Sequence, residues 1–187
     1  MKRNDIWILM IGILLFIISY NFDSQVNMFF ENFQLPFIHD IFNFITNFWF
    51  AVLVMLIVPS FAFYQKNKKM LYLSWLTFFI AVILAFVIKL IVLRQRPTEA
   101  LTYPWINIIN YSFPSMHAMV VFALLPLLVK HLPKQKYFWI GFSFLIGFTR
   151  VYLGFHFLSD VVFGALFGYL IGFYLLELYE KKRLWTK

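Results

Sequence analysis

The stretch TRVYLGFHFLSD, residues 149–160, places an arginine, a histidine and a carboxylate between two apolar runs. Each is costly at membrane depth unless it is paired or wetted. His156 and Asp160 are four apart, so on a helix they share one face. A carboxylate there can fix the imidazole tautomer and leave the other ring nitrogen free to attack. Arg150 lies six residues earlier, and its planar fork suits a phosphate. Such a His–Asp pair could equally be a satisfied core pair, so the rest of the chain decides. Two further groups favour chemistry. Lys89 precedes Arg96 by seven residues, with Pro97 following, and Pro114-Ser115-Met116-His117 reads as a helix start. Ser115 near a helix cap, with free N–H groups beyond it, makes an anion site. Two histidines allow a division of labour in which one attacks and the other protonates the leaving oxygen.

The elements that must position these residues are apolar helices. The chain has 187 residues, is 63% hydrophobic with 26 Phe, and is 13% charged. This composition indicates a single integral-membrane domain over residues 1–187. The absence of cysteine excludes disulfides and thiolate chemistry. Apolar runs predict spans at 6–22, 41–65, 70–88, 115–131, 137–155 and 159–179. MKRND before the first run resembles a signal peptide, but no small-x-small cleavage site follows, so the first span is expected to be retained. Between 21 and 40 the residues Val26, Phe29, Phe30 and Phe33 fall on one helical face, predicting a short amphipathic helix in the membrane interface. Pro59 is expected to kink the second span. Gly164, Gly168 and Gly172 repeat every four residues after Asp160, a spacing that permits close helix contact.

Charge placement gives a topology. With the N-terminus inside and the spans alternating, all 16 Lys and Arg residues fall on the inner side except Lys89, Arg94, Arg96 and Arg150. This accounts for the net charge of +8 without nucleic acid. It places both termini in the cytoplasm and gathers Lys89, Arg96, Arg150, His117, His156 and Asp160 at the outer face. Arg94 reads as an interface anchor or a second phosphate contact. His39 reads as an outer-loop residue and His131 as an inner-interface one, with no metal-like spacing.

KLIVLRQRP at 89–97, PSMH at 114–117 and TRVYLGFHFLSD at 149–160 together resemble the type 2 phosphatidic acid phosphatase (PAP2) superfamily, which includes the vanadium haloperoxidases. The family pattern is Lys-x6-Arg-Pro, Pro-Ser-Gly-His and Ser-Arg-x5-His-x3-Asp. Met116 stands where Gly is usual and Thr149 where Ser is usual. The resemblance implies an all-α, six-span helix bundle that hydrolyses a lipid phosphate without metal or other cofactor. It implies that Lys89, Arg96, Arg150, Ser115 and the Met116 N–H hold the phosphate. His156 would attack phosphorus to form phosphohistidine, Asp160 would orient it, and His117 would protonate the leaving group. Fixed cations can neutralise the equatorial oxygens. The expected setting is a bacterial cytoplasmic membrane, with membrane lipids as surroundings and a lipid phosphate as partner. Access from the outer face favours undecaprenyl diphosphate over phosphatidylglycerol phosphate and phosphatidic acid. Rival readings are a phosphotransferase on the same fold and a non-catalytic lipid-binding or transport protein; polar residues gathered at one membrane side argue against a transporter.

Overall fold

The computed structural model describes residues 3–97 and 110–181, and within them every regular element is helical. The helices are α1 Arg3–Asn32, α2 Pro36–Ile45, α3 Phe48–Lys66, α4 Lys68–Val92, α5 Met116–His131, α6 Lys136–Tyr152 and α7 Leu158–Glu180. Among the described residues, four stretches are long and apolar enough to cross a membrane: Leu9–Asn32 of α1, α3, α4 and α7. α5 is apolar but has 16 residues, and α6 has 17. At 1.5 Å per residue α5 is roughly 24 Å long, short of a ~30 Å hydrocarbon layer.

The expected turn after the first span is absent. α1 runs unbroken through the mixed segment to Asn32. Its only glycine is Gly12 and the next proline is Pro36, so a change in polarity alone does not stop it. The expected apolar face also divides. Val26 and Phe30 pack on Ala118, Val151 and Val161, whereas Phe29 and Phe33 are exposed. The short amphipathic helix is instead α2, opened by Pro36. The Tyr152 hydroxyl accepts the Leu35 N–H at 3.0 Å, and Ile38 and Phe42 pack on Tyr152, Leu153 and Phe155. α3 starts later than expected because Asn47 caps it, its side chain accepting the Trp49 N–H at 3.0 Å. A π-helical turn at Leu53–Ile57 precedes Pro59. Pro59 has no N–H to give to Met55 and crowds that carbonyl, and the wider turn absorbs the mismatch.

α5 is the central helix. Residues Ala118 to Leu128 are buried without a break, which suits a helix apolar on every side. It packs on α3, α4, α6 and, most extensively, α7. The glycine stripe sets that last contact. A Cβ at Gly164, Gly168 or Gly172 would fall 2.7, 2.1 or 1.9 Å from the carbonyl oxygens of Ser115, Met119 and Ala123. The two backbones touch because α7 has no side chain there.

Candidate active site

Three chain segments meet at the ends of α4, α5 and α7. Lys89 lies in the last turn of α4 and is 2% exposed. Its ammonium donates to the main-chain carbonyls of Tyr111 and, at 3.3 Å, Ser112. Leu93 then adopts a left-handed conformation (φ 51°), which ends the helix and turns the chain back across the bundle. Such a conformation is unfavourable for a residue with a Cβ and is retained only where the surroundings impose it. Arg96 follows, donating to the carbonyls of Asn110 at 3.0 Å and Phe155 at 2.7 Å.

The second segment enters α5. Ser112 N–H donates to the Arg94 carbonyl at 2.7 Å, and Ser115 N–H to the Asp160 carbonyl at 3.1 Å. Ser115 is the N-cap of α5, and its buried hydroxyl has no hydrogen-bond partner among the described residues. Met116 opens the helix, where main-chain N–H groups lack intrahelical acceptors. Its side chain packs against the apolar core. His117 lies edge-on to Phe48, 5.4 Å between ring centres, and its Nε2 has no partner among the described residues.

The third segment joins α6 to α7. Arg150 is buried, donates to Thr46 Oγ1 at 3.1 Å and stacks over Phe155 at 4.4 Å. Gly154 takes a positive φ of 67°, and the Phe155 and His156 N–H groups both return to the Arg150 carbonyl. This tight turn carries His156 into the interior at 2% exposure. Burial, then the charges of Arg96, Arg150 and Lys89, push its imidazole well below the usual histidine range, so the ring is a neutral base near pH 7. His117 lies within electrostatic reach of Arg150, His156, Arg96 and Lys89. The spacing-based candidates therefore converge. Thr149 stands apart: its hydroxyl bonds back to Ile146 O at 2.8 Å along its own helix.

Two expectations change. His156 and Asp160 are neighbours but not hydrogen-bonded: Nδ1 and Oδ2 are 3.7 Å apart, and Nδ1 has no partner among the described residues. Oδ2 already accepts the Ser112 hydroxyl and, at 2.9 Å, the Phe157 N–H that caps α7. Arg94 is neither an interface anchor nor aimed at the cations. It lies between two carboxylates, 2.7 Å from Asp160 Oδ1 and 2.7 Å from Asp23 Oδ2. Asp23 had no role in the expectations from sequence. Its signal was available: a carboxylate within an uninterrupted apolar helix requires a partner. Ser112, Ser159 and Thr46 carried no such signal, because isolated hydroxyls are compatible with any environment.

A separate cavity of about 880 Å³ lies between α1, α5, α6 and α7. It is apolar except for Lys130, Glu177 and Glu180 at one end, and it contains none of these polar site residues.

Comparison with known proteins agrees with the motif arrangement. Residues 73–184 match the PAP2 superfamily. The chain is 36% identical over 141 residues to phosphatidylglycerophosphatase B of Bacillus subtilis, covering 70% of this chain and 67% of that one. It is 29% identical over 131 residues to an undecaprenyl-diphosphatase of Sulfolobus acidocaldarius, covering 67% of this chain and 60% of the relative. The fold superposes on the crystal structure of a transmembrane PAP2-type phosphatidylglycerolphosphate phosphatase from Bacillus subtilis with a TM-score of 0.75 and 24% identity, covering 97% of this chain and 98% of that one. With its motifs inside the matched region and more than half of its length within it, this chain belongs to the PAP2 superfamily.

Proposed function

We propose that the protein is a multi-pass membrane lipid phosphatase that works through a phosphohistidine. The reading rests on one observation: a buried neutral His156, His117 with an Nε2 that has no partner among the described residues, and Lys89, Arg96 and Arg150 share one small region. The three cations bind the substrate's terminal phosphate, displacing main-chain carbonyls from Lys89 and Arg96. Ser115 Oγ and the Met116 N–H add donors at the start of α5. The His156 nitrogen remote from Asp160 attacks phosphorus as the bond to the leaving oxygen breaks, and His117, which enters the step as an imidazolium held by the negative charge of the bound phosphate, supplies its proton to that oxygen. Water then attacks the phosphohistidine and gives its proton to His117, inorganic phosphate leaves, and both histidines return to their starting states. Asp160 must approach His156 by somewhat less than 1 Å to make a hydrogen bond, a displacement within ordinary side-chain motion.

In the bilayer α5 and α6 complete a six-span bundle with α1, α3, α4 and α7, both termini lie inside, and the site faces outward. The positive-inside asymmetry supports this orientation. A lipid head group then enters from the interface while its chains remain in the bilayer. Two lipids compete as substrate. Access from the outer face favours a prenyl diphosphate, and the greater identity to phosphatidylglycerophosphatase B favours phosphatidylglycerol phosphate. Purified protein assayed on undecaprenyl diphosphate, phosphatidylglycerol phosphate and phosphatidic acid in one detergent tests the function. Release of phosphate is expected from at least one, with His156→Ala folded but inactive. Turnover by His156→Ala at the wild-type rate would overturn the mechanism. A kcat/KM for undecaprenyl diphosphate at least tenfold below the others, about 1.4 kcal/mol, would exclude the access argument.

A further inference from the structure

Arg94 is held more completely than its loop position requires. Nη1 donates to Asp160 Oδ1 and to Ser159 Oγ, each at 2.7 Å, and Nη2 donates to Asp23 Oδ2 at 2.7 Å. Its guanidinium lies over the rings of Phe157 at 4.1 Å and Tyr20 at 5.4 Å. Asp23 is itself clamped: Oδ1 accepts the Ser159 N–H at 2.9 Å and Oδ2 the Ser159 hydroxyl at 2.5 Å. α1 therefore reaches the first turn of α7 through a network of one cation and two buried carboxylates.

The network determines what Asp160 can do. A carboxylate has about four acceptor directions. Arg94 engages Oδ1, while the Ser112 hydroxyl and the Phe157 N–H engage Oδ2. The carboxylate plane is thus set by Arg94 on one side and the cap of α7 on the other, leaving Oδ2 as the oxygen turned to His156 Nδ1. A lysine could supply the charge but not the planar fork that spans Asp160 and Asp23.

We propose that Arg94, braced by Asp23 of α1, is a positioning residue for the reaction: it sets the Asp160 carboxylate and through it the orientation and tautomer of His156. This assignment rests on the phosphohistidine reading above, which gives His156 its role. It makes α1 part of the catalytic apparatus although α1 contributes no group that touches substrate.

The test uses the full-length protein in detergent. Arg94→Gln is expected to lower kcat by about 30-fold or more with KM within about twofold, because the interaction lost is made through Asp160 and not with phosphate. Arg94→Lys should recover only part of that loss, and Asp23→Asn should show a smaller fall in kcat in the same direction. Combining Arg94→Gln with Asp160→Asn should be no slower than Asp160→Asn alone, since both act through one group. A KM increase matching the loss, or fully additive losses in the double variant, overturns the proposal. So does a loss that only tracks the unfolded fraction in thermal melts. Nitrogen NMR of ¹⁵N-histidine protein, with the His156 signal identified by His156→Gln, requires no turnover. The wild type should show one tautomer, and Arg94→Gln a mixture; an unchanged spectrum refutes the positioning role. If the wild type hydrolyses none of the lipids, the functional reading fails while the NMR comparison still decides whether Arg94 orients His156.

Discussion

Gly168→Ala tests whether backbone contact between α5 and α7 holds the site together. The added Cβ would lie 2.1 Å from Met119 O, 2.9 Å from its carbonyl carbon and 3.0 Å from its Cα. Ordinary contact distances are about 3.5 Å, so α7 must retreat by more than ~1 Å. The obstacle is backbone of the buried central helix and cannot rotate away. Overpacking of this kind costs about 1–3 kcal/mol. The retreat also lengthens the 3.1 Å bond from Ser115 N–H to Asp160 O beyond hydrogen-bond range, removing about 1 kcal/mol more. Because that bond joins the His117 helix to the Asp160 helix, a shift near 1 Å should lower kcat on the order of 100-fold. The assay is thermal unfolding in detergent together with kcat on the best lipid substrate. Gly141→Ala is the control: it sits in α6 with nothing within 4 Å of the new Cβ, so it should be neutral or more stable by up to ~1 kcal/mol. A Gly168→Ala protein with the melting temperature and kcat of Gly141→Ala would refute the idea that the stripe positions the site.

Four other outcomes are expected. The acid limb of kcat/KM from His156 should fall below pH 6.5, because the folded imidazole is held below its ordinary 6.5 and attacks only when neutral; a nucleophile limb at or above 6.5 contradicts the burial argument. The same group makes folding pH-dependent: below about 6.5 the unfolded chain binds a proton the folded one refuses, so stability should decline as pH drops towards the folded pKa, and His156→Gln should flatten that slope. Activity should survive EDTA and be inhibited by vanadate; loss on chelation with recovery on added magnesium would refute metal-free chemistry. For topology, Asp40→Cys should react with an impermeant thiol reagent in intact cells and Gln135→Cys should not, with no native cysteine to confuse the readout; the reverse pattern would place the site inside.

Local spacing carried much of the candidate site. His156 and Asp160 are four residues apart in sequence and end as neighbours although His156 lies in the turn before α7 and not on the helix, Lys89 and Arg96 bracket a helix end, and Ser115 stands where a helix begins. Rise per residue and capping preferences largely define such relations without the remainder of the fold. The glycine stripe was legible for the same reason, since a four-residue period marks one face. Helix boundaries were less legible: α1 passes through Asp23 and Gln25 because polar side chains do not break helices, and the polarity change there reflects which neighbours the helix meets.

What only the tertiary structure decided is where the charges end. Arg94 and Asp23 are 71 residues apart, and Arg150 meets Thr46 across 104. No periodicity relates such positions, because their juxtaposition depends on how α1 and α3 dock against α5, α6 and α7. The sequence identified Arg94 as a cation on the sparsely charged side of the membrane. It did not distinguish a phosphate ligand from a strut between two carboxylates, since those roles use the same guanidinium and differ only in what packing brings within 3 Å. The Asp160 carboxylate is the same case: its spacing of four residues made a bond to His156 possible, but the Ser112 hydroxyl and the α7 cap, delivered by a distant loop and a helix end, took the oxygen that faces the ring.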